Sequence, residues 1–160
     1  MTSRTVVYAA VGALADDPYR HVELLLRVGE REEVQRADAD AAIDRYRAVL
    51  EVDATNASAL RALDRLYEAL EQWPQVADVL RRELTLSDLS PDEAVALRYR
   101  LGQALEHRLG DPAGALAVYR EIMDVQADHA DTLAALEAMF ARGVLRAEVE
   151  NLRSVLTSTV

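Results

Sequence analysis

Apolar residues return every three or four positions along almost the whole chain, and no stretch shows the strict alternation of a strand. Val22, Leu24, Leu25, Val28 and Val34 make one stripe, opened by Asp17-Pro18. Ala42, Ile43, Tyr46, Val49 and Leu50 make a second after Asp38, and Leu60, Leu63, Leu66, Tyr67 and Leu70 a third after Asn56. Gln72-Trp73-Pro74 separates that stripe from Val76, Val79, Leu80 and Leu84. Ser90-Pro91-Asp92-Glu93 is a strong helix start, with a serine cap, a proline in the first turn and a glutamate that closes a capping box. This helix is expected to run to about Leu109, where Gly110 stops it and Asp111-Pro112 begins the next. His129 leads into a helix with Leu133, Leu136, Met139 and Phe140. Gly143 ends it, and Val144, Leu145, Val149, Leu152 and Leu156 form a last stripe. With an apolar segment at the N-terminus, the pattern predicts about nine helices joined by short turns.

The pattern repeats itself. Leu24, Arg27, Gly29, Glu33, Asp38, Ala42, Tyr46 and Val52 recur 73 residues later as Leu97, Arg100, Gly102, Glu106, Asp111, Ala115, Tyr119 and Val125. Ala57, Leu60, Ala62 and Leu63 continue into Ala130, Leu133, Ala135 and Leu136 at the same offset, without a gap. A fixed period of this kind marks a repeat architecture, in which each unit buries its apolar face only by stacking on a neighbour.

The first apolar segment, Thr5 to Ala15, follows Arg4 and ends in Ala13-Leu14-Ala15, as a short secretory signal does. At the 73-residue offset it falls on the stretch from Gln75 to Leu86, so the preferred reading is a helix covering the end of the array. It is too short to span a bilayer. The expected organisation is a single domain: residues 1–17 as the covering helix, then repeats over 18–53, 56–88, 91–127 and 130–157. No clearly polar helix closes either end, so a piece of a longer array is also an open reading.

Two of these hairpins resemble the tetratricopeptide repeat. Leu101-Gly102 followed by Ala115 and Tyr119, four residues apart, fits that family's pattern, and so does Val28-Gly29 followed by Ala42 and Tyr46. The intervening hairpin keeps Tyr67 but has Asp64 in place of the glycine, and the last keeps Phe140 with Glu137 there. The family's tryptophan is replaced by Leu25 and Arg98, and its closing proline is missing after Val52 and Val125. The resemblance implies an all-α, right-handed α-solenoid of stacked antiparallel hairpins. It also implies packing roles for Gly29, Ala42, Tyr46, Tyr67, Gly102, Ala115, Tyr119 and Phe140. A glycine inside a helix costs about 1 kcal/mol against alanine and persists where helices approach closely. Ala42 and Ala115 are expected to fill the facing positions, and the tyrosines to wedge between successive hairpins.

Composition narrows the chemistry. The net charge is −10, which disfavours nucleic acid and anionic membranes as partners. All 18 basic residues are arginine, as in bacterial chains from GC-rich genomes. No cysteine is present, which excludes disulfides and thiolate chemistry and fits a cytoplasmic protein, with secretion as the alternative. His21, His107 and His129 are far apart, so no helical zinc pair is formed. Asp38, Asp40 and Asp44 begin like a calcium loop but lack its glycine and closing glutamate. No glycine-rich phosphate loop or nucleophile motif is present, so no enzyme, metal, cofactor or small-molecule substrate is expected.

In the resembled family the first helix of each hairpin lines a concave groove. On this chain that implies Leu26, Glu30, Arg61, Arg65, Glu68, Tyr99, Gln103 and Glu106 as peptide-groove candidates. Arg61 and Arg65, four residues apart, suit an acidic segment or a terminal carboxylate. The family's carboxylate-clamp members use lysine and asparagine, and neither stands at these positions. The expected function is a non-catalytic scaffold that binds a peptide or protein segment. The alternative is a structural, self-assembling module whose partner is a second copy.

Overall fold

A computed structural model describes residues 17–35 and 38–144. The described residues form helices joined by turns and hold no strand. The helices are α1 (Pro18–Gln35), α2 (Ala39–Val52), α3 (Ala57–Ala69), α4 (Trp73–Glu83), α5 (Pro91–His107), α6 (Pro112–Val125) and α7 (Ala130–Ala141). Seven helices lie among the described residues, and about nine were expected over the whole chain. The covering helix over residues 1–17 and the last helix, save Val144, lie outside the described residues. No described helix is long and apolar enough to cross a membrane.

Local chemistry accounts for most boundaries. Asp17, Asp38, Asn56 and Asp111 each accept a hydrogen bond from an amide in the first turn that follows. Ser90 and Glu93 form the reciprocal capping box, with the Ser90 amide donating to Glu93 at 2.9 Å. Pro74, Pro91 and Pro112 occupy first-turn positions, where a missing N–H is harmless. Gly143, with φ of 72°, ends α7: its amide donates to Phe140 O and the Val144 amide to Met139 O. Val144, expected to open a further helix, therefore closes this one.

The chain forms two compact units, Met1–Leu70 and Glu71–Val160. In the first, α2 packs against both α1 and α3. Its core includes Ala42, Tyr46, Val49, Leu60, Leu63 and Tyr67. In the second, α5 packs against α4 and α6, and α6 against α7, around Val76, Leu80, Leu101, Tyr119, Ile122 and Met139. Burying such side chains contributes about 1.5–3 kcal/mol each.

Four stripe residues depart from expectation. Leu24 is 45% exposed and Val34 80%, because α1 packs on α2 along one face only. Leu70 is the C-cap of α3 and 41% exposed. Phe140 is only half-buried, and the adjacent Met139 is the fully buried one. Glu71 follows the cap of α3 with φ of 54°, a left-handed backbone normally given to glycine.

Candidate functional site

The two glycines of the repeat explain the local geometry. Gly29 and Gly102 are buried in α1 and α5. A Cβ on Gly29 would lie 2.9 Å from Cε1 of Tyr46, and a Cβ on Gly102 would collide with Cε1 of Tyr119. The side chain facing each glycine is thus the tyrosine of the next helix, not the alanine expected there. Ala42 and Ala115 are fully buried one turn earlier on those helices. The aromatic ring needs the volume of a side chain, and the absent Cβ supplies it.

Seated this way, each tyrosine reaches a glutamate on the preceding helix. The Tyr46 hydroxyl donates to Glu33 at 3.3 Å, and the Tyr119 hydroxyl donates to Glu106 at 3.1 Å. Each glutamate also takes an arginine from the third helix of its group. Arg65 donates to Glu33 through two nitrogens, at 2.8 and 3.1 Å. Arg142 donates to Glu106. The matched position of Arg65 is Ala138, so the second arginine comes from one turn further on. Burial, then the charge of Glu33, pushes the Tyr46 phenol up to about 12. Burial and Glu106 raise Tyr119 as well.

The two units differ beside these pairs. In the second, Gln103 donates to the Tyr119 hydroxyl at 2.7 Å, so its side chain is turned inward. In the first, the matched residue is Glu30, which has no proton to donate to Tyr46 and is exposed. There a cleft of about 390 Å³ opens between α1 and α3. Leu26 and Val34 supply apolar lining, Tyr46 and Ala62 part of the wall, and Glu30, Glu33, Ser58, Arg61 and Arg65 the polar lining.

The sequence-predicted residues distribute as follows. Leu26, Glu30, Arg61 and Arg65 come together in this cleft, while Glu68 is exposed on α3 outside its lining. Tyr99, Gln103 and Glu106 belong to the second unit and are drawn into packing. Tyr99 is tilted against Tyr119 at 6.1 Å and against His129 at 5.7 Å. The Glu106 side chain is only 5% exposed. Burial, Asp131 and Glu106 raise the Tyr99 phenol. Val34 and Ser58 were not expected as lining, although their helical spacing from Glu30 and Ala62 carries that signal. Arg142 had no such signal, because nothing at the repeat offset corresponds to it.

His21 is half-buried on α1, His107 ends α5 with Nε2 3.8 Å from Glu106, and His129 caps α7. Among the described residues no three histidine, aspartate or glutamate side chains gather as metal ligands do.

No family model and no curated protein matches the chain. Among solved structures, the crystal structure of MamA aligns over 95% of this chain and 85% of that chain, at a TM-score of 0.55 and 20% sequence identity. A likeness at that identity speaks to the fold alone, and it supports a TPR-like helical fold.

Proposed function

We propose that the chain is a non-catalytic interaction module that holds a protein segment in the α1–α3 cleft of its first unit. The observation that carries this reading is the lining itself. Two apolar side chains, Leu26 and Val34, stand beside Arg61, with Arg65 one turn further along α3 held against Glu33. A segment presenting an aliphatic side chain and a carboxylate would satisfy both. The TPR-like helical fold agrees with this reading. The net charge of −10 makes a phosphate backbone a poor occupant. The test is capture of partners from the native cell with the full chain and with an Arg61→Ala/Arg65→Ala variant. Loss of a partner with the variant supports the cleft, and retention of every partner overturns it.

A second reading is self-assembly. Tyr19, at 86% exposed, and Leu24 and Val34 place apolar surface on α1 in water. Light scattering across a concentration series decides it: a mass fixed at that of one chain rejects self-assembly.

A further inference from the structure

The cap of α7 is a titratable ring. His129 Nδ1 lies 3.2 Å from the Thr132 amide nitrogen and 2.8 Å from Thr132 Oγ1. Accepting from the amide requires a lone pair on Nδ1, hence a neutral ring with its proton on Nε2. Thr132 is fully buried, so water is poorly placed to replace a lost acceptor. The matched residue 73 positions earlier is Asn56, whose Oδ1 accepts from the Ala59 amide at 3.0 Å. A carboxamide oxygen does the same work with no charge change near neutrality. Histidine is the side chain whose charge ordinarily changes between about pH 5 and 8.

The elements around this cap carry several titratable groups. Tyr99 of α5 lies against the ring at 5.7 Å. Asp131 stands in the first turn of α7, Asp128 in the turn before it, and Asp124 near the end of α6. Glu106 of α5 is tied to Tyr119 and Arg142, with His107 beside it. Arg142, the cation of α7 itself, sits at its other end.

We infer that His129 is a proton-sensitive cap: the protonated ring withdraws the acceptor from the Thr132 amide and loosens the first turn of α7. Nδ1–H then points at Thr132 Oγ1, and a positive ring faces the positive end of the helix dipole. The Asn56 cap of α3 does not respond, so mild acid acts on one of the two matched helices.

The experiment is amide hydrogen exchange on the full chain at about pH 7.5 and about pH 5, read as protection factors. Thr132 is expected to lose protection about fivefold in acid, the size of one helix cap. Ala59 in the same sample is expected to hold its protection. In the His129→Asn variant, which leaves His107 and His21 in place, Thr132 is expected to become indifferent to pH. A flat Thr132 in the unaltered chain, or an equal loss in the variant, overturns the inference. The ring nitrogen shifts of the unaltered chain give an independent check, since a proton on Nδ1 near pH 7.5 would also overturn it.

Discussion

The Tyr119 hydroxyl donates to the Glu106 carboxylate at 3.1 Å, and Tyr46 makes the same bond to Glu33 at 3.3 Å. The two pairs are one device in two environments. Glu106 is 5% exposed and depends on Tyr119 and Arg142 for its desolvated oxygens, whereas Glu33 is 21% exposed and also holds two bonds from Arg65. Tyr119→Phe is therefore expected to destabilise by about 1–3 kcal/mol, the cost of a lost hydrogen bond to a buried charged group. Tyr46→Phe should cost less. Tyr119→Ala removes a fully buried ring and should cost about 3–5 kcal/mol. Urea unfolding of the three variants checks the order, and equal losses for the two phenylalanine variants would contradict it.

The glycines give a second expectation. Glycine to alanine inside a helix ordinarily gains about 1 kcal/mol. At Gly102 the new methyl meets the Tyr119 ring, which is fully buried and has nowhere to move. Gly102→Ala should lose about 1–3 kcal/mol despite the better propensity. At Gly29 the nearest ring atom is at 2.9 Å and the clash is milder. Gly29→Ala should therefore lose less than Gly102→Ala. Thermal unfolding of both variants tests this, and a gain at Gly102 would mean that the ring is not held against α5.

Alkaline pH supplies the third. The ordinary tyrosine value is 10.0, and Tyr46 is held at about 12 by burial and by Glu33. The folded chain therefore keeps its phenolic proton when the unfolded chain has lost it. This contribution to stability is complete below pH 10.0 and falls as pH rises towards 12. Tyr119, raised for the same reasons, acts in the same direction. Denaturant midpoints should hold up to about pH 10 and fall steeply from there to about pH 11, and the slope should lessen in Tyr46→Phe and Tyr119→Phe. An unchanged slope in both variants would assign the alkaline loss to other groups.

Much of the helical architecture is present in the order of residues. Asp38, Asn56, Ser90 and Asp111 stop and start helices through bonds to amides at most three residues away, and such bonds depend only on local sequence. The period of the apolar stripes needs no tertiary information either, because it follows from the pitch of the helix. The recurrence of Gly29 and Tyr46 as Gly102 and Tyr119 likewise showed that one packing arrangement is used twice.

Only the tertiary structure decided what fills each close approach and which polar residues remain available. Glycine faces tyrosine rather than alanine because the ring, reaching back one turn, needs the space that the missing Cβ leaves. Glu30 and Gln103 occupy the same repeat position, yet Gln103 has a proton to give Tyr119 and turns inward, while Glu30 has none and lines a cleft. Arg142 reaches Glu106 from one turn beyond the matched position of Arg65. Burial and partnership depend on contacts between helices far apart in the chain, and a pattern read along one helix cannot supply them.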